Sequence, residues 1–133
     1  MTTPPPIDAW VLEADTDLVT SHYDDTTQIV RTWATQHGLP DGASFNVQYS
    51  GRTTSGAFDA FSVTGEATAD QVEQLASRLN RAYDTQIVVR RTRLISVPHV
   101  GMTDGLPTGK YSYVDPVIME RARQPEGDER DLN

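Results

Sequence analysis

The residues best placed to do chemistry in this chain are few. His22-Tyr23-Asp24-Asp25 brings an imidazole and two carboxylates into four positions. Such a set can ligate a metal or pass protons, but a usable metal site needs a third or fourth ligand held in fixed geometry. No spacing in the chain supplies one. Asp24 or Asp25 stands instead where a carboxylate accepts the exposed amides at the start of a helix. No metal and no cofactor are expected.

A second group, His99, Asp104, Lys110, Tyr111 and Tyr113, shares a segment punctuated by Pro98, Gly101, Gly105, Pro107 and Gly109. A histidine, an acid and a lysine can do acid–base work. Their spacing matches no mechanism, and His99 reads as a loop residue bonded to backbone. Gly109-Lys110 fails as a phosphate loop, because Asp104 stands where the first glycine is required and Tyr111 replaces Ser or Thr. No Gly-x-Gly-x-x-Gly, Gly-x-Ser-x-Gly or His-Glu-x-x-His is present. A small enzyme using His99 and this loop ranks last among the functional readings.

The third constellation is Arg90, Arg91 and Arg93. Residues 1 to 70 carry ten acids against Arg31 and Arg52, whereas five of the eleven bases fall at Arg78, Arg81, Arg90, Arg91 and Arg93. Three guanidinium groups within four positions must be exposed or paired, since an unpaired buried charge is very costly. They pair with acids of the same chain, such as Glu13, Asp15, Asp17 or Asp59, or with the acidic half of a second subunit. The candidate interaction residues are therefore Arg90, Arg91 and Arg93 on the basic side, Asp15, Asp17, Asp24 and Asp25 on the acidic side, and Tyr111 and Tyr113.

These groups must be positioned by one ordinary domain of 133 residues. No cysteine is present, so disulfides and thiolate chemistry are unavailable. The start, Met1-Thr2-Thr3-Pro4-Pro5-Pro6, has neither the basic nor the apolar region of a signal peptide, and no stretch approaches a membrane span. A cytoplasmic or virion location follows as the expectation. Ten Arg against one Lys points to a GC-rich coding genome.

Alternation predicts a strand over Ile7 to Leu12, covered on both faces. Asp25 with Gln28, and the stripe Ile29, Val30, Trp33, Ala34, predict a helix over 26–37 ending at Gly38-Leu39-Pro40. Phe45, Val47 and Tyr49, then Ala57 to Val63, predict a hairpin. Thr68 and Gln71 form a capping box before the stripe Val72, Leu75, Ala76, Leu79, Tyr83. Ile87 to Val97 predicts a long strand closed by Pro98. Strand, helix, strand, strand, helix, strand is the split βαβ (ferredoxin-like) arrangement, a four-stranded antiparallel sheet with two helices on one face.

That arrangement leaves the other face to be solvated, paired with another subunit, or covered by the chain's own tail. The division expected is a proline-rich arm at 1–6, an α+β domain at 7–97, and a C-terminal arm at 98–133. The arm holds a short strand over Tyr111 to Val114 and a helix announced by Asp115-Pro116.

A split βαβ sheet with aromatics invites comparison with RNA-recognition domains, through Trp10, Phe58 and Phe61. Asp59 among those residues, the opposite parity of Phe58 and Phe61, and a net charge of −8 argue against nucleic acid. The leading expectation is a non-enzymatic structural or assembly subunit binding other protein chains, as a homo-oligomer or in a phage particle (head-tail, tail or capsid-associated). The alternative is a small acidic inhibitor, an immunity or counter-defence protein, blocking a basic partner.

Overall fold

A computed structural model describes residues 5–16, 18, 22–39, 46–53, 56–100 and 107–123. Eight elements follow one another: β1 (Ile7–Ala14), α1 (Tyr23–Gln36), β2 (Asn46–Thr53), β3 (Gly56–Thr64), α2 (Ala69–Tyr83), β4 (Ile87–Val100), β5 (Pro107–Val114) and α3 (Pro116–Arg123). They form a mixed α+β architecture around one antiparallel sheet in the order β2-β3-β1-β4-β5. The four-stranded sheet expected is corrected to five strands among the described residues, because the strand expected in the C-terminal arm pairs with β4 and joins the sheet, while α3 is the short helix expected there.

β1 is central, and its alternation serves both faces. Leu12 and Ala14 join Phe61 and Val63 in the main core, where Val30, Trp33 and Ala34 of α1 and Val72, Leu75, Ala76 and Leu79 of α2 cover the sheet. Trp33 is fully buried, and its indole N–H donates to the Gln71 carbonyl (2.7 Å), tying the two helices together. The odd-numbered β1 side chains face the other way, and Val11 packs with Ala60 and Ile118 beneath α3. The second sheet face is thus covered by the chain's own C-terminal helix.

α2 begins as its sequence requires, with both bonds of the Thr68–Gln71 capping box formed. α1 begins at Tyr23, earlier than residue 26, with His22 as N-cap and no side-chain cap bond. Asp24 and Asp25 lie inside the first turn rather than capping it. The inward residue is Thr26, whose hydroxyl donates to the Leu18 carbonyl at 3.0 Å. α1 ends where expected: Gly38 takes φ +66°, and the amides of Gly38 and Leu39 donate back to Thr35 and Ala34.

Two features curl the sheet. β4 does not stop at Pro98 but runs to Val100, pairing Ile95–Val100 with Val114–Pro107 of β5. Proline is tolerated because β1 ends opposite Leu94, so this stretch of β4 has β5 as its one strand neighbour in the ladder. On the opposite edge, the β2–β3 ladder shifts register between Val47 and Tyr49. That bulge frees Gln48 to turn inward. Its amide N–H donates to the Tyr113 carbonyl (3.2 Å), as does that of Asn46 (3.1 Å), and its Oε1 accepts from the Asp115 amide (2.8 Å). β2 and the end of β5 are stitched together by side chains, and the sheet approaches a closed barrel.

Candidate functional site

Alternation along β4 separates the arginines. Arg90 is paired with Val11 in the β1–β4 ladder and shares its face, whereas Arg91 and Arg93 lie on the helix-covered side. Arg90 meets Asp115, the N-cap of α3, through both terminal nitrogens, and Glu13 of β1 at 3.2 Å. Asp115 is completely buried. Its carboxylate also accepts the Thr92 hydroxyl (2.7 Å) and the Ile118 amide (3.3 Å). Burial pushes this carboxyl upward. The hydrogen bonds from Arg90 and Thr92, the Arg90 charge and the Ile118 amide together outweigh it, holding Asp115 below the usual carboxylate value.

Arg91 lies over the Trp10 ring, 4.9 Å from its centroid, donates to the Gly65 carbonyl (3.0 Å) and pairs with Asp8 at 3.6 Å. Arg93 reaches the same carboxylate at 3.3 Å, with 71% of its side chain exposed. All three arginines therefore find counter-charges within the chain, of which Glu13 was foreseen, while Asp8 and Asp115 were not.

The acidic candidates are scattered. Asp15 accepts the Thr85 hydroxyl (2.7 Å) and the Gln86 amide (3.2 Å), bonds that draw its pKa down and close the turn between α2 and β4. Asp24 and Asp25 are exposed on α1, beside Tyr23. Asp17, Asp104 and residues 124–133 lie outside the described residues, as do the side chains of His99, Lys110 and Tyr111. Asp59 is buried on the helix side of the sheet, and Phe61 belongs to the main core, so neither contributes to a stacking platform.

Sequence reasoning missed a cleft at one end of the barrel-like sheet. Its volume is about 680 Å³, with Ile7, Ala9, Leu94, Asn46, Ser62 and Tyr113 among its walls and Asp8 and Glu66 at its rim. Its floor is buried, Ala9 and Leu94 being 2% and 3% exposed, and its lip is Ile7 at 42%. The signal was present in the proline run ahead of β1, which ends that strand at Ile7 and leaves this end of the barrel without a further turn of ladder.

No group of three or more His, Cys, Asp or Glu side chains suited to a metal occurs among the described residues. The chain matches no known protein family. Neither the curated proteins nor the solved structures contain a significant match to it. No helix among the described residues is long and apolar enough to cross a membrane.

Proposed function

We propose that this protein is a non-enzymatic structural subunit that docks onto other protein chains, of the kind that builds phage heads, tails or the junction between them. We read β1 to β4 with α1 and α2 as a split βαβ unit to which β5 and α3 have been added. The observation that carries the reading is the β4–β5 ribbon, which continues six residues of β4 past the end of β1. A two-stranded ribbon is marginally stable alone in water, so an extended one is best accounted for by a partner that packs on it. Arg90 takes no part in docking on this reading. Arg93 and the exposed pair Asp24 and Asp25 supply peripheral charge.

The test replaces Val97–Ser112 by a two-residue Asn-Gly turn, which keeps the Ser96–Tyr113 pair and the native register, and compares the sedimentation of the shortened and full chains. Assembly beyond a dimer, or incorporation into particles, is expected for the full chain and not for the shortened one, with the helical circular-dichroism signal retained. A full chain that is strictly monomeric and joins no assembly would remove the reading. The exposed group Tyr23-Asp24-Asp25 favours a second reading, an acidic inhibitor of a basic partner. It requires D24N/D25N to weaken partner binding with a steep salt dependence.

A further inference from the structure

The cleft at the open end of the barrel has a definite chemistry. Its floor, Ala9 and Leu94, is apolar, Tyr113 contributes to one wall, and Asn46 and Ser62 add neutral hydrogen-bonding groups. Of the two rim acids, Asp8 is already engaged by Arg91 and Arg93. A site of this kind offers little to a charged ligand. It suits a polyproline segment, which presents prolyl rings to apolar and aromatic walls and bare carbonyls to donors such as a tyrosine hydroxyl.

The chain carries such a segment itself. Pro4-Pro5-Pro6 directly precedes Ile7, the residue that forms the lip of the cleft. Pro5 and Pro6 are exposed and make no ladder bonds. Because each prolyl ring fixes φ near −65°, the triplet is stiff. Joined to the lip, it cannot double back into the cleft it has just left. A second copy has no such restriction.

We propose that two copies face each other mouth to mouth about a two-fold axis, each seating its Pro4-Pro5-Pro6 in the other's cleft. The contact is self-complementary, so it closes at a dimer. This inference rests on the assembly reading above and adds to it a partner, a ligand chemistry and a surface.

The test is sedimentation of the full chain beside a variant carrying Pro4→Ser, Pro5→Ser and Pro6→Ser, whose substitutions lie ahead of the folded elements. The full chain is expected to dimerise, and the variant to need at least about tenfold more protein to do so. A synthetic Thr2–Ile7 peptide is expected to compete with the dimer and to perturb Tyr113, a response lost in Tyr113→Ala. A full chain that stays monomeric, or a variant with the dimer's original dissociation constant, overturns the inference. If the dimer is unchanged in that variant but larger assembly is lost on shortening the ribbon, the inference fails and the assembly reading stands. If neither change affects association, both fail.

Discussion

Replacing Asp115 by alanine tests whether a polar lock seats the C-terminal helix. Apart from this lock, Ile118 is the one buried apolar side chain that holds α3 on the sheet among the described residues. Burying an isoleucine side chain contributes about 1.5–3 kcal/mol, little for a helix of eight residues. The carboxylate of Asp115 does more, joining Arg90 and Thr92 of β4 to the first turn of α3, while its amide reaches Gln48 of β2. Truncating one member of a buried ion pair costs about 3–5 kcal/mol, and losing an N-cap about 0.5–2 kcal/mol.

These two costs overlap, because the same oxygens serve both purposes. Arg90 also keeps Glu13 and has 28% of its side chain exposed, so part of its charge can be hydrated. The expected loss for Asp115→Ala is therefore about 3 kcal/mol, the lower end of the buried-pair range. Urea denaturation of the wild type, D115A, R90M and the double variant forms the assay. The double variant should lose less than the two single losses combined, the difference being at least about 1 kcal/mol, because removing both partners leaves no orphaned charge. Additive losses, or a D115A cost below about 0.5 kcal/mol as at an ordinary surface site, would refute the idea that this network holds α3.

Acid should also loosen the fold. Asp115 and Asp15 are both held below the ordinary carboxylate value, so their stabilisation is complete above the unfolded value of about 3.9 and is lost as pH falls through the folded ones. Urea midpoints should stay level from neutral pH to about 5 and fall below about 4; a midpoint unchanged at about pH 2 would contradict this. Thr68→Ala removes the capping box of α2 and should lower thermal stability by about 1 kcal/mol, with Thr68→Ser close to wild type. Gly65→Ala would place a methyl 2.4 Å from the Asp8 carbonyl oxygen. Backbone cannot step aside as a side chain can, so a loss of about 1–3 kcal/mol in chemical denaturation is expected.

What could be read in the sequence was whatever depends on near neighbours. The Thr68–Gln71 box, the Trp33 stripe, the Gly38 stop and the Asp115-Pro116 start each announce themselves within a few residues, and each is formed. The start of α1 was misplaced because Asp24 and Asp25 are favourable inside a first turn as well as ahead of it, and residue type does not choose between the two. β4 was cut short because a proline normally ends a strand, whereas past Leu94 β1 no longer flanks it. The bulge that turns Gln48 inward has no signature in Val47-Gln48-Tyr49. The pairing of Arg90 with Asp115 spans 25 positions and depends on where α3 lands. Of the cleft, the sequence shows only the proline run that stops β1 at Ile7, since the walls exist only once five strands curl together.

The consecutive arginines of β4 also act as an alignment mark for assembling the sheet. Moving this strand by one position in one direction would leave Val89 beside Glu13 and Asp115, two carboxylates without a cation. The opposite move would deliver Arg91 to those acids but drive Arg90 into the site of Val89, which packs against the apolar core beneath α1 and α2. Either misalignment puts charge where water cannot reach it. A strand so rich in interchangeable β-branched residues would otherwise slide at little cost, and its basic doublet makes one pairing the natural end point of folding.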